Sequence, residues 1–393
     1  MLGNREWILI NGEIYTGDKV IENGYIHIAN GSIEAVGPME TAPNHIENQF
    51  DAKGKKVVPG FIDVHIHGVG GADTMDASDQ AYETMASTLP MEGTTSFLAT
   101  TATQSIEAIE KALTAIASYR KTNNTPGKAE MVGVHLEGPF LHPDKAGAQH
   151  PSFIQEPNIE LFQKWRSLSD DSIRLVTLAP ERPNGYELVE YLKSNGIIAS
   201  IGHSDAAYDE VTHAISKGLS HVTHLYNAMR PLHHRDPGVV GAALLHRELT
   251  AEIIADGIHV HPKMIQHAIQ SKGTDRIVLI TDSMRAKCLK NGLYDLGGQE
   301  VKVEGRKATL ADGTLAGSVL KMKDAVKLIV EDTSFTLEDT IQLTSVNPAK
   351  ELGLYQRKGS LAPGKDADIV LLDESLDVAV TVCRGEISYK KEG

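Results

Sequence analysis

Cysteine is scarce: two residues, Cys288 and Cys383, in a chain of 393. That excludes a disulfide framework and leaves both thiols buried or incidental. Long apolar runs are missing as well. No stretch approaches the ~20 residues of a membrane-spanning helix, and Met1 to Trp7 carries no basic segment leading into an apolar one. A cytoplasmic protein without a membrane partner is expected. Positive charge is in deficit, 38 Lys and Arg against 52 Asp and Glu, for a net charge of −14. This balance argues against a nucleic-acid surface, so an anionic ligand has to be met by local cations.

What the chain does have is histidine, 17 residues of it, and the placement of those residues matters more than the count. The run Pro59-Gly60-Phe61-Ile62-Asp63-Val64-His65-Ile66-His67-Gly68 reads as a buried strand. Strand side chains alternate faces, so His65 and His67 project together and their imidazoles can converge on one metal. Chance alone supplies roughly 0.7 His-x-His pairs at this composition, and His259 with His261 is a second one. The first pair gains weight from Glu137, His203, His224 and Asp282, each of which closes its own β-like run further along the chain.

A chain of 393 residues, 41% hydrophobic, exceeds the usual single-domain size. Its two ends share a texture. Short alternating runs are broken by Asn11-Gly12, Asn23-Gly24 and Asn30-Gly31 near the start, and by Ala362-Pro363-Gly364-Lys365 near the end, which are hairpin and turn signals. Residues 1–56 and 358–393 are therefore expected to form one small β-sandwich domain. Between them, residues 57–357 alternate buried strands with amphipathic helices. Strands are expected over 57–67, 94–100, 131–137, 173–179, 197–203, 221–224, 251–256 and 277–282. Ser105 to Tyr119 places Ile106, Ile109, Leu113 and Ile116 on one helical face, and Ser204 or Asp205 is expected to cap the helix ending near Gly218. Eight β-then-α units describe a (β/α)8 TIM barrel, whose active sites lie at the C-terminal strand ends.

Every candidate occupies such an end. Glu137 follows an apolar strand and precedes Gly138-Pro139, where a carboxylate can bridge two cations or complete one site. His203 and His224 supply imidazoles. Asp282 follows Ile277-Val278-Leu279-Ile280-Thr281 and is the best general-base candidate. Histidine and carboxylate donors suit Zn, Fe, Mn or Co, one or two ions per subunit.

This constellation resembles the amidohydrolase superfamily. Within it, His135-Leu136-Glu137-Gly138-Pro139-Phe140, Gly202-His203-Ser204 and His224-Leu225-Tyr226-Asn227-Ala228-Met229-Arg230-Pro231-Leu232 are similar to the N-acetylglucosamine-6-phosphate deacetylase family. Many dinuclear members of the superfamily, such as hydantoinases and dihydroorotases, use a carbamylated lysine at the fourth strand end. Here that strand runs into Leu178-Ala179-Pro180, so the bridging role falls to Glu137. The resemblance implies a metal held by Glu137, His203 and His224, which would activate water at neutral pH, with a second site at His65 and His67. It implies Asp282 as proton shuttle and His142 as electrophile for the carbonyl oxygen. For a phosphorylated amino-sugar substrate it implies Asn227, the Ala228 backbone and Arg235 on the phosphate and His259 on a sugar hydroxyl. A homodimer is implied too, with Arg235 reaching the neighbouring subunit's site.

Overall fold

The computed structural model describes residues 6–392. Its central sheet has eight parallel strands: β1 (Phe61–Ile66), β2 (Thr94–Thr101), β3 (Glu130–Glu137), β4 (Ile173–Leu178), β5 (Ile198–Ile201), β6 (His221–Val222), β7 (Thr250–Ile254) and β8 (Ile277–Ile280). Neighbours in sequence are neighbours in the sheet. The ring closes where Ile66 bridges Ser283 and the Asp282 N–H donates to the His65 carbonyl at 2.8 Å. Helices α1 (Asp79–Thr88), α2 (Ile106–Thr122), α3 (Ile159–Leu168), α4 (Gly185–Ser194), α5 (Tyr208–Lys217), α6 (Gly238–Leu245), α7 (Pro262–Lys272) and α8 (Met322–Asp332) each follow a strand. The expected TIM barrel is present, and no helix among the described residues is long and apolar enough to cross a membrane.

The local chemistry explains the elements. In α2, Ser105 caps the Ala108 N–H at 3.2 Å, Ile109, Leu113 and Ile116 are fully buried, and Glu107 and Lys111 face solvent. Burying each of those aliphatic side chains contributes about 1.5–3 kcal/mol. In α5 the expected caps are otherwise engaged. Ser204 Oγ donates to the Glu181 carboxylate at 2.8 Å and the Asp205 carboxylate pairs with Lys145 Nζ at 3.1 Å, so the helix starts at Tyr208 with the Glu210 carboxylate accepting from the Ala207 N–H at 2.7 Å.

The run from Val57 to His67 is two strands rather than one. Lys56–Pro59 belongs to the terminal sheet, and Gly60 is the junction. A Cβ on Gly60 would lie 2.1 Å from Thr95 Oγ1, so only glycine lets the chain pass from one sheet into the other this close to β2. In the terminal sheet Lys56–Pro59 pairs with Glu6–Tyr15 on one side and with Ile369–Leu372 on the other. Hydrogen bonding runs through all eight of its strands, which come from both ends of the chain, and Ala367 N–H donates to the Gly31 carbonyl at 2.8 Å. Leu9, Ile26, Val57, Leu371 and Val382 fill the interior so enclosed.

A buried charge cluster fastens this sheet to the barrel. Lys358 Nζ lies 2.8 Å from Glu130 Oε2 at the start of β3, 2.8 Å from Asp366 Oδ2 and 2.6 Å from Asp368 Oδ2. Burial would raise the Glu130 carboxyl, but Lys358 and Arg357 outweigh it and hold it at about 2. A carboxyl lowered in the folded state binds protons more readily when unfolded, so its stabilisation is present above the ordinary carboxylate range and is lost as pH falls toward 2. The urea midpoint is expected to drop between pH 5 and pH 3, and Glu130→Gln to flatten that part of the pH dependence; an unchanged slope would remove Glu130 from the account.

One element was not foreseen. After β8 the chain forms three antiparallel strands, Gly292–Leu296, Gln299–Glu304 and Lys307–Thr309. They pack their own core of Met284, Val301, Val303 and Ala308 and bring Leu296 to the mouth of the barrel.

Candidate metal centre and active site

At the C-terminal rim the backbone turns sharply where the strands end. His203, His224 and Asp282 adopt φ of 49°, 31° and 47°, a left-handed conformation that costs energy for residues other than glycine and concentrates at functional sites. The strain aims three side chains inward over a cavity of about 330 Å³. His67, Glu137, His203, His224, Asn227, Ala228, His259 and Asp282 are among its lining residues.

Two trios meet there. Glu137, His203 and His224 bring one ligand atom each within 4.8 Å of one another, and so do His65, His67 and Asp282. Glu137 stands between them. Its Oε1 is 3.3 Å from both His203 Nε2 and His224 Nε2, and its Oε2 is 3.1 Å from His67 Nε2. Asp282 Oδ1 is 3.3 Å from His67 Nε2 and 3.4 Å from His65 Nε2. His203 Nδ1 faces the Lys145 carbonyl at 2.8 Å, which demands an N–H there and leaves the Nε2 lone pair aimed at the cluster.

Whether these residues fit a divalent cation can be judged from what they lack. His203 Nε2 and His224 Nε2 lie 3.0 Å apart, while His65 Nε2 and His67 Nδ1 have no hydrogen-bond partner among the described residues. Burial would raise the Glu137 carboxyl, but His65, His203 and His224 outweigh it and hold it well below the usual range. Burial acts on Asp282 the same way, and His65 and His67 overcome it. Here the compensating positive charge comes from the imidazoles themselves, and a bound divalent cation would take over that role and leave the rings neutral. Converging imidazole lone pairs and carboxylate oxygens fit a divalent metal.

The remaining sequence candidates separate. Asn227, Ala228 and His259 line the cavity, and His259 Nδ1 donates to Asp256 Oδ2 at 2.7 Å. Burial lowers the His259 ring's pKa, yet Asp256 outweighs it and the net shift is upward. Neither His142 nor Arg235 is brought to the cavity wall. The His142 main-chain N–H donates to the His203 carbonyl at 2.9 Å, and its Nδ1 accepts from the Asp144 N–H at 3.2 Å, which leaves Nε2 as the ring's donor. Arg235 is exposed at the tip of its loop, Nη1 2.7 Å from His234 Nε2.

Two residues at the centre went unread in the sequence. Gln149 Nε2 donates to Glu137 Oε2 at 2.6 Å, and its Oε1 accepts from the Thr103 N–H at 2.7 Å. Glu252, fully buried on β7, accepts from His65 Nδ1 at 2.9 Å. An acid inside the apolar run Thr250-Ala251-Glu252-Ile253-Ile254 was a usable signal for the second; Gln149, in an irregular loop, had none.

Comparison with known proteins gives this geometry a family. The model of the amidohydrolase family matches residues 56–388, and that of the NagA composite domain matches residues 7–57. The chain is 48% identical over 380 residues to the N-acetylglucosamine-6-phosphate deacetylase of Bacillus subtilis (strain 168), covering 96% of this chain and 95% of that one. The chain belongs to the N-acetylglucosamine-6-phosphate deacetylase family of amidohydrolases. A further relative is the N-acetylgalactosamine-6-phosphate deacetylase of Escherichia coli O157:H7, 35% identical over 375 residues, 95% of this chain and 97% of that one. The structure of a mutant Mycobacterium smegmatis N-acetyl-D-glucosamine-6-phosphate deacetylase in complex with N-acetyl-D-glucosamine-6-phosphate superimposes with a TM-score of 0.92 at 31% identity, over 98% of this chain and 100% of that one. As a member of this deacetylase family the chain is an amide hydrolase that depends on a divalent metal.

Proposed function

We propose that this enzyme hydrolyses N-acetylglucosamine 6-phosphate to glucosamine 6-phosphate and acetate. The observation that carries the reading is the meeting of Glu137, His203 and His224 at one end of the cavity with Asp282 across from them, in a family whose relatives act on this substrate. Glu137, His203 and His224 would hold one metal and His65, His67 and Asp282 a second, with Glu137 shared between them. When bound, the metal supplies Lewis acidity and lowers the pKa of water toward ~7.

The protein's own groups carry the rest. Asp282 takes the proton of the attacking water as the new C–O bond forms, then delivers it to the nitrogen as the C–N bond breaks, so one carboxylate serves both steps. The resemblance makes His142 the candidate donor to the carbonyl oxygen as negative charge gathers there, although its ring does not line the cavity and would have to turn toward the substrate to serve. His259, held by Asp256, contacts a sugar hydroxyl. Asn227, the Ala228 backbone and Arg235 bind the phosphate, Arg235 through its planar fork.

Arg235 lies outside the cavity of its own chain, and Leu232 in the same loop is 53% exposed. Both observations support a homodimer in which Arg235 completes the partner's site. The reaction is placed in the cytoplasm.

Acetate release from a panel of acetylated amino sugars tests the whole reading. The 6-phosphate of the gluco epimer is expected to be the best substrate; preference for the galacto epimer, or for unphosphorylated amides, would overturn it. Arg235→Ala is expected to lower kcat/KM for the phosphorylated sugar by about 10- to 100-fold, the loss of one charge-assisted hydrogen bond, and to leave unphosphorylated N-acetylglucosamine unaffected. If Arg235 acts across an interface, mixing Arg235→Ala with Asp282→Asn subunits restores activity, because each heterodimer then holds one intact site. Exchange without recovery would rule the shared site out.

A further inference from the structure

Strand β7 carries Glu252 into the barrel directly behind the metal centre, where it is fully buried. One of its oxygens does two things. Oε2 accepts from His65 Nδ1 at 2.9 Å and from the main-chain N–H of His224 at 3.1 Å. His65 belongs to one trio of ligand atoms and His224 to the other. A carboxylate accepts and does not donate, so His65 must carry its proton on Nδ1. The Nε2 lone pair is then left facing Glu137 Oε1 and Asp282 Oδ1, each 3.4 Å away. The second bond acts on the backbone. His224 has a φ of 31°, a conformation that persists only where surroundings fix it, and the Glu252 contact ties its N–H at that turn.

His65, His135 and Glu252 also cluster closely enough to hold an ion, but the nitrogens of His135 are taken. Its Nδ1 faces the Val64 carbonyl at 3.1 Å and its Nε2 meets Thr177 Oγ1 at 2.7 Å. A ring with both nitrogens engaged in this way has no lone pair to offer a third metal.

We propose that Glu252 is the positioning residue that joins the two halves of the metal centre, setting the tautomer of His65 on one side and the turn at His224 on the other. The proposal rests on the two trios being metal sites. It touches neither substrate nor reacting atoms, so its test reads the metal and the proton.

Wild-type, Glu252→Leu and Glu252→Gln enzymes, stripped with chelator, are titrated with Zn²⁺, and the ring nitrogens of ¹⁵N-labelled histidine are followed by NMR, with His65→Ala to assign the His65 signal. Glu252→Leu is expected to weaken Zn²⁺ binding by about 10- to 100-fold, the usual effect of removing a group that orients a ligand, and to abolish the Nδ1–H signature of His65. Glu252→Gln, whose amide oxygen still accepts, is expected to restore both. Wild-type affinity in Glu252→Leu, or a glutamine variant no better than leucine, would overturn the proposal. Should Glu252→Leu fail to fold, Glu252→Asp, which keeps the charge and withdraws the oxygen, takes its place with the same expectations. Wild-type protein that binds no Zn²⁺ would defeat the metal reading and this proposal with it, whereas wild-type binding beside an indifferent Glu252→Leu would defeat this proposal alone.

Discussion

Asp282→Asn is expected to lower kcat by roughly 10²–10⁴-fold, the span that a positioned general acid or base contributes. Asparagine preserves the size of the side chain and an oxygen that can still accept from His67, 3.3 Å away, so the cavity keeps its shape. What disappears is the proton site. In the wild type, burial would push the Asp282 carboxyl up, but the charge of His65 and His67 lowers it below the usual carboxylate range, and this group is the one proposed to accept as water attacks. The decisive measurement is kcat with metal content recorded in the same sample. Full metal at the Glu137, His203 and His224 position with a collapsed kcat supports the shuttle, and an undiminished kcat in metal-replete Asp282→Asn excludes it.

Removing the metal is expected to act at least as strongly. Lewis acid catalysis supplies several kcal/mol of transition-state stabilisation, and about 4 kcal/mol corresponds to roughly 10³-fold in rate. Chelation should therefore abolish turnover, and re-addition of Zn, Fe, Mn or Co should recover it to different degrees. His203→Ala and His224→Ala each take one nitrogen from the trio around Glu137 Oε1, where both rings stand 3.3 Å from that oxygen, and should lose the metal together with the activity. His65→Ala is a milder change. It is expected to lower the stoichiometry from two ions to one where two are bound, with the first ion retained. Chelated, metal-free protein that deacetylates at the wild-type rate would refute the mechanism.

The barrel was legible because its signal repeats. Apolar runs recur at barrel-like intervals, and Glu137, His203, His224 and Asp282, residues with no business in a core, announced four of the eight strand ends. Boundaries were less visible, since hydrophobicity alone cannot say which sheet a run joins. Val57 and Val58 are as apolar as Phe61 and Ile62, and only the crowding of Gly60 against Thr95 separates them. The caps expected at Ser204 and Asp205 went instead to Glu181 and Lys145, partners distant in sequence. The three-stranded insertion did carry a turn signal, Gly297-Gly298, both in left-handed conformations, but its strands are too short and polar to stand out from loop. At the centre, residues whose chemistry is ligation were readable from type and place. Gln149 and Glu252 act on those ligands through tertiary contact, which left Gln149 without a trace in local pattern and Glu252 only with its place as an acid inside an apolar run.

The seating of Lys56–Pro59 between strands from opposite ends of the chain bears on how the molecule is made. Glu6–Tyr15 is available as soon as this strand leaves the ribosome. Its other neighbour, Ile369–Leu372, is translated only near the end. At about 5–20 residues per second that wait lasts on the order of tens of seconds. Throughout it, Val57 and Val58, wholly buried in the finished protein, lie along an open strand edge of the kind that recruits other chains. A nascent chain of this enzyme thus has a vulnerable period fixed by its topology, and a product cut short before Ile369 never leaves it. Residues far from the chemistry, at the carboxyl end, are the ones that close this edge in the finished protein.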